Sequence, residues 1–238
     1  MTLILLIYNL ILALLLPPAL VYFFIRRLIK GRAFAGAADR LALRRPPPPV
    51  EGQTAIWIHA VSVGEVLAVA PLVARIRRDE PGARIYLSTI TPTGQATARK
   101  TFTDTVTLFY CPYDLWWPVR RVMRRIQPRR LVIAETEIRP TLLAAARRQG
   151  VPVSLVNGRI SDRSLPRYRC VRALLRPFLE IPDHWLMQTE EDARRIRELC
   201  APAARVQVAG NLKFDSLRLI QSNTALAAAI GACWGTAR

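Results

Sequence analysis

Residues 55–65 read Ala-Ile-Trp-Ile-His-Ala-Val-Ser-Val-Gly-Glu. A run of apolar and β-branched residues ends in a small-residue turn carrying one carboxylate, the pattern of a buried strand that delivers Glu65 to its C-terminal mouth. Ligands of open parallel α/β sheets bind in the crevice outside those carboxyl ends, which makes Glu65 a candidate for chemistry. Ser62-Val-Gly-Glu65 also has the spacing of a capping box, in which the serine accepts from the third helical residue and the glutamate reaches back. One residue can serve both roles.

Outward from this stretch the chain alternates apolar strand-like runs with helical patterns. Strands are expected at Ala55–Val61, Ile85–Ile90, Val106–Tyr110, Leu131–Glu135, Val153–Val156, Trp185–Gln188 and Val206–Ala209. Helices are expected at Val66–Arg78, Gln95–Phe102, Trp116–Ile126, Thr141–Arg148, Tyr168–Leu179 and Glu190–Leu199. That alternation predicts an α/β fold with a Rossmann-like, doubly wound parallel sheet. No GxGxxG or GxxxxGK[ST] run occurs, so dinucleotide or P-loop binding is not indicated.

Composition sets the outer bounds. With 51% hydrophobic and 22% charged residues the 238-residue chain can build a sizeable core, which excludes wholesale disorder. Its 35 Lys and Arg against 17 Asp and Glu, a net +18, suit a phosphorylated or anionic-lipid partner and would equally suit nucleic acid. The four cysteines follow no CxxC or His-paired spacing, so neither a zinc site nor a disulfide framework is indicated. His59 and His184 lie in or beside apolar runs and read as core or structural residues.

Leu3–Ile25 holds no charged side chain, and at ~1.5 Å per residue it is long enough for the ~30 Å hydrocarbon core of a bilayer. Arg26, Arg27, Lys30 and Arg32 follow, which places the remainder on the cytoplasmic side. Pro17-Pro18 is expected to kink or interrupt this helix, leaving a tilted or partly interfacial anchor open. The division expected is an anchor with its basic flank over 1–32 and a Pro-rich spacer over 33–54. An acceptor-binding domain follows over 55–215, and the start of a further domain over 216–238.

Three more sites carry polar chemistry. Thr91-Pro-Thr-Gly94 places Pro92 in a first helical turn and Gly94 where a ligand can approach the backbone; a helix start without a ligand fits equally well. Glu135 and Glu137 lie at the next strand's mouth, where alternate residues share a face and paired carboxylates invite a raised pKa on one. Arg139 can instead pair with either of them and make the cluster an ion-paired loop. Gln188-Thr-Glu-Glu-Asp192 looks structural, with Thr189 an N-cap ahead of an acidic first turn.

Taken in order, Trp57 to Glu65, Thr91 to Gly94, Tyr113-Asp114, Glu135-Thr-Glu137 with Pro140, Asn157-Gly-Arg159, Gln188 with Glu190 to Asp192, and Gly210 to Asp215 closely resemble the Kdo (3-deoxy-D-manno-octulosonic acid) transferase family. The resemblance runs from the N-terminal anchor to Asp215. It departs from the family where Arg139 stands for the usual Trp and Thr141 for a frequent Asn. It implies a two-domain GT-B glycosyltransferase, metal-independent and inverting and without a cofactor. The N-terminal half would receive the lipid A precursor (lipid IVA) and the C-terminal half would bind the co-substrate CMP-Kdo.

The resemblance further implies Glu65 as proton acceptor and Glu135 and Lys213 as transition-state stabilisers. Ser62, Gly64, Thr93, Gly94, Glu137, Arg139, Asn157 and Arg159 are the candidate substrate-binding residues. Anionic membrane lipids are expected partners and nucleic acid is not, with the chain at the inner membrane and its globular part cytoplasmic. Only 23 residues follow Asp215, so the donor half is expected to be missing from this chain, which would leave it inactive alone. Another membrane-associated GT-B enzyme, or a non-catalytic basic module that binds acidic lipid, are the rival readings.

Overall fold

The computed structural model describes residues 2–30 and 36–212. Lys213, Asp215, Cys233 and the helix expected near the C-terminus lie outside the described residues, as does Arg32 of the basic flank. Seven strands, all parallel, form one sheet among these residues: β1 (Ala55–His59), β2 (Arg84–Thr89), β3 (Thr107–Tyr110), β4 (Arg130–Ala134), β5 (Val153–Gly158), β6 (His184–Met187) and β7 (Val206–Val208). Their order is β3-β2-β1-β4-β5-β6-β7, so the direction of winding reverses between β1 and β4. Each of the seven expected strands is present.

The helices are α1 (Thr2–Lys30), α2 (Ala37–Arg40), α3 (Val63–Ala68), α4 (Ala70–Asp79), α5 (Pro92–Phe102), α6 (Trp116–Ile126), α7 (Pro140–Arg148), α8 (Leu165–Cys170), α9 (Arg172–Leu179) and α10 (Glu190–Glu198). Side-chain parity along the strands sorts them into two layers. Trp57, Leu131 and Ile133 pack with Val119, Val122, Met123 and Ile126 of α6 and with α7. Ile56, Ile58 and Val132 pack on the other face with Val66, Leu72, Val73 and Ile76 of α3 and α4 and Phe102 of α5. A smaller cluster under β5 to β7 joins Trp185 and Met187 to α8, α9 and α10.

Two expected helices are each split. The pattern over Val66–Arg78 divides at Val69 into α3 and α4, where Pro71 in the first turn of α4 has no N–H to continue the ladder of α3. The pattern over Tyr168–Leu179 begins earlier, with Pro166 in the first turn of α8, and breaks at Val171 before α9. Conversely, Pro17 and Pro18 do not interrupt α1, which is helical from Thr2 to Lys30. Its Leu3–Tyr22 stretch, of mean hydropathy 2.4, is long and apolar enough to cross a membrane.

The Pro-rich stretch predicted as a spacer lies against the domain. Tyr86 donates its hydroxyl to the Pro47 carbonyl at 2.8 Å, and Arg84 donates to that of Pro48 at 2.9 Å. Upstream, the Arg40 guanidinium donates to the Ile90 carbonyl and sits 4.9 Å from the Tyr110 ring centroid. Gly36, at φ 75°, leaves room for that ring, because a Cβ there would lie 2.1 Å from it.

Candidate active site

The reversal point between β1 and β4 is where an open α/β sheet offers its crevice, and the acidic candidates gather there. Glu65 is the third residue of α3, immediately after β1, and only 6% exposed. One carboxylate oxygen accepts from the Val61 backbone N–H at 2.6 Å and the other from the Ser62 hydroxyl at 2.9 Å. The capping box is thus half built. Glu65 reaches back to the turn, but Ser62 donates to the carboxylate and makes no cap bond to the helix backbone.

Burial pushes the Glu65 pKa up, the bonds from Val61 and Ser62 pull it down, and the Glu135 and Glu137 carboxylates push it up again; the net direction is upward. The helix N-terminus alone would favour the ionised form, but α3 is six residues long and desolvation outweighs it. The raised carboxyl is therefore Glu65, whereas Glu137 is displaced downward. Burial raises Glu137, but the charges and hydrogen bonds of His59 and Arg139 lower it further.

Those two cations make Glu137 the hinge of a buried network. His59, at the end of β1 and fully buried, donates Nε2–H to Glu137 at 2.8 Å. Its Nδ1 faces the Ser88 hydroxyl at 2.8 Å and the Ser88 carbonyl at 3.2 Å. The same hydroxyl accepts from the Trp57 indole N–H at 2.8 Å. Nε2 faces a carboxylate and Nδ1 a backbone carbonyl, both acceptors only, which favours an imidazolium; the Ser88 hydroxyl can donate or accept and fits either form. Burial lowers the His59 pKa, but Cys111 and Glu137 beside it more than reverse this and hold it at about 10.

Arg139 is the N-cap residue of α7 and 9% exposed. Its guanidinium lies 3.3 Å from Glu137 and 3.8 Å from Asp114, and it donates to the Pro112 carbonyl. Of the two glutamates open to it, the structure pairs it with Glu137. Asp114 in turn accepts from the backbone N–H groups of Thr141 and Leu142, both at 3.0 Å, and so supplies the cap that α7 lacks from its own N-cap residue. His59, Cys111 and Asp114 were not among the site candidates. The recoverable signal was parity, because Trp57 and His59 share a strand face and lead to the same buried serine.

Glu135 directly follows β4 and Asn157 is the last residue but one of the adjacent β5, each with φ 57°, a left-handed conformation uncommon for residues other than glycine. The Asn157 carbonyl accepts from Gln188, and its side-chain oxygen accepts from the Leu212 N–H at 3.1 Å. Its amide nitrogen is buried without a partner among the described residues. The exposed Arg159 joins this rim through its backbone: Thr136 Oγ1 donates to the Arg159 carbonyl at 2.7 Å and accepts from its N–H at 2.9 Å.

At the neighbouring mouth Thr91 Oγ1 accepts from the Gly94 N–H at 3.0 Å, so that donor is engaged within the chain. A Cβ on Gly94 would lie 2.8 Å from Thr91 Oγ1 and 3.1 Å from the Val61 carbonyl. The backbone that Gly94 lets approach is the protein's own β1–α3 turn. Thr93 is exposed on the first turn of α5, and Ser62 and Gly64 are half-buried across from it. Thr189 caps α10, accepting from Asp192 N–H at 3.1 Å, as its spacing implied.

The model of the family described as 3-Deoxy-D-manno-octulosonic-acid transferase (kdotransferase) matches residues 35–216, which include every acidic and amide residue just described. The chain belongs to the Kdo transferase family. Among curated relatives, a 3-deoxy-D-manno-octulosonic acid transferase of Bordetella pertussis is 38% identical over 187 residues, 76% of this chain and 42% of that protein. One of Haemophilus influenzae is 34% identical over 168 residues, 71% of this chain and 39% of its own length. The chain thus spans less than half of the length of these Kdo transferases. Among solved structures, the UDP-GlcNAc 2-epimerase of Neisseria meningitidis aligns over 76% of this chain and 54% of its own with a TM-score of 0.53 at 12% identity. That of Methanocaldococcus jannaschii aligns over 75% and 53% with a TM-score of 0.51, also at 12%. At such identity these likenesses show the fold alone, a Rossmann-like sheet of GT-B-like kind.

Proposed function

We propose that residues 36–212 form the acceptor-side domain of a glycosyltransferase that moves Kdo from CMP-Kdo to the lipid A precursor, held at the inner membrane with the domain on the cytoplasmic side. The family match supports Kdo as the transferred sugar, and one observation carries the mechanism: a buried carboxylate of raised pKa at the reversal point of the sheet. A general base works best when its pKa approaches the working pH, and the environment of Glu65 moves it that way.

In this reading Glu65 takes the proton from a glucosamine hydroxyl of the acceptor as that oxygen bonds to the anomeric carbon of Kdo. The carbon–oxygen bond to CMP breaks on the opposite face, which inverts the centre. The reaction needs no metal. Positive charge developing on the sugar in an oxocarbenium-like transition state is offset by Glu135, and Lys213, which lies outside the described residues, is taken as the second stabiliser on the family resemblance alone. The exposed Thr93 and Arg159 would meet the acceptor sugar, with the buried Asn157 supporting the rim behind Arg159.

Glu65→Gln separates the base from the cap. The test joins the C-terminal half of the Bordetella pertussis relative after Asp215 and follows Kdo transfer to lipid IVA by thin-layer chromatography. Gln keeps a hydrogen-bonding side chain toward Val61 but cannot accept the proton, so turnover should fall by about 10²–10⁴-fold while the melting temperature changes little. Near-normal turnover in the Gln variant would leave Glu65 as a cap and remove the base from this mechanism.

A further inference from the structure

The first two turns of α1 are part of the globular domain. Leu5 is 6% exposed in the core cluster with α6 and α7, and Ile4 and Tyr8 pack beside it. The Tyr8 hydroxyl donates to Asp114 at 3.1 Å, the Asn9 amide donates to Thr141 Oγ1 at 3.0 Å, and the Asn9 oxygen accepts from the Trp116 N–H at 2.6 Å. The chain returns to the same spot after α1, where the Arg40 carbonyl accepts from the Tyr113 N–H at 2.9 Å. Tyr113 and Trp116 are three residues apart, so the two anchor points on the domain are separated by no more than about 11 Å of chain.

A helix that crosses a bilayer leaves its two ends on opposite sides. Here the N-terminal end is hydrogen-bonded to the domain that the C-terminal end leads into. Beyond Asn9 the uncharged run Leu10–Ile25 is 16 residues, ~24 Å as a helix against a ~30 Å hydrocarbon core. What α1 offers instead is an apolar outer face, with Leu3, Leu6, Leu10, Leu14 and Leu15 between 57% and 67% exposed.

The helix α6 begins where α1 docks, at the Trp116 N–H that donates to Asn9. Trp117 is 43% exposed, and Arg120, Arg121, Arg124 and Arg125 with Arg45 and Trp116 line an open depression of about 520 Å³. Arg148 and Arg120 lie over the Trp116 ring at 4.5 and 5.7 Å, and Arg121 over Trp117 at 6.0 Å. Among the described residues, no carboxylate lines the depression. An amphipathic aromatic ring among guanidinium groups that pair with no carboxylate of the described residues, on the helix that begins where the leucine-rich α1 docks, fits the boundary between headgroups and acyl chains.

We infer that α1 lies in one leaflet and does not cross the membrane, so that both its ends are cytoplasmic, and that the Trp117–arginine face of α6 rests on the phosphates of an anionic phospholipid surface. The inference uses the cytoplasmic placement of the domain but not its transferase chemistry, and its test reads topology and binding without activity.

The experiment places a protease-cleavable epitope tag ahead of Met1 in the full chain and adds the protease to sealed membrane vesicles of both orientations. Cleavage in inside-out vesicles, with the tag protected in right-side-out ones, is the expected result. Cleavage only in right-side-out vesicles would establish a crossing helix and overturn the topology. For the α6 face, the triple variant Arg120→Gln, Arg121→Gln, Arg124→Gln is compared with wild type on vesicles of phosphatidylcholine with 30 mol% phosphatidylglycerol and on phosphatidylcholine alone. All three residues are on the surface, and unchanged far-UV circular dichroism establishes that the fold is kept. Affinity for the anionic vesicles should drop roughly 100-fold, from about fivefold per arginine, with little change on the neutral ones. Equal binding of variant and wild type to the anionic vesicles would remove α6 from the interface.

Discussion

Glu137→Gln tests the buried network at its hinge. The substitution keeps the size of the side chain and a hydrogen-bond acceptor for His59 but removes the charge that faces both His59 and Arg139 at 2.8 and 3.3 Å. Removing one partner of a buried ion pair costs about 3–5 kcal/mol. The Glu137 side chain keeps 25% exposure and Gln preserves one hydrogen bond, so the expected loss sits at the lower end, about 3 kcal/mol. The pH dependence carries the sharper information. A histidine raised to about 10 in the folded chain adds stability that is fully present below its unfolded value, near 6.5, and is lost as pH climbs toward 10. A carboxylate lowered on folding, as Glu137 is, adds stability that is present above its unfolded value and lost as pH falls below it. The chain has two histidines, and burial displaces His184 downward, so a histidine-selective NMR titration reads His59 beside an internal control. His59 should remain protonated from pH 6 to 9 in the wild type and titrate more than one unit lower in Glu137→Gln. A wild-type His59 that titrates at or below 6.5 would refute the imidazolium and the ion pair with it.

Arg139→Trp should destabilise the domain by about 3–5 kcal/mol because Glu137 and Asp114 both lose their guanidinium; urea unfolding checks this, and a gain in stability would show that the surroundings repack without the charge. Gly94→Ala should cost about 1–3 kcal/mol, seen as a lower melting temperature, since its Cβ would sit 3.1 Å from the Val61 carbonyl and move the turn that holds Glu65. Asn9→Leu leaves the Trp116 N–H and Thr141 hydroxyl without their partner and should loosen α1, measured as faster proteolysis near residue 9 with the sheet intact.

All seven strands could be read from the chain because each is a short apolar run closed by a turn signal, and a buried parallel sheet needs nothing more. Helix breaks were harder to see. The apolar periodicity continues through Val69 and Val171, and only the backbone accounting around Pro71 and the dihedrals at Val171 end those helices. The acids at the strand mouths were visible as residues but not as partners, since the His59–Glu137 contact spans 78 residues and the Arg139–Pro112 contact 27. Arg139 could be read as an ion-pair partner of either glutamate, but its choice of Glu137 and its approach to Asp114 could not. Asn9 was the overlooked signal in α1: an amide inside an uncharged helix is costly in lipid unless it finds a partner, and its partners are the domain's own Thr141 and Trp116.

The acidic cluster acquires a division of labour from these contacts. Glu137 is held ionised by His59 and Arg139 on one side, and its charge reaches Glu65 on the other, adding with Glu135 to the desolvation that raises the Glu65 pKa. A fixed anion therefore tunes a movable proton. Withdrawing that charge in Glu137→Gln should let the Glu65 pKa fall. A base is active only when deprotonated, so the acid limb of the pH–rate profile of the two-domain enzyme should move to lower pH, while the same limb in Glu65→Gln should disappear with the activity. If the limb stays where it is in Glu137→Gln although the His59 resonance has shifted, the two carboxylates do not communicate, and Glu137 only holds the β4–α7 turn in place.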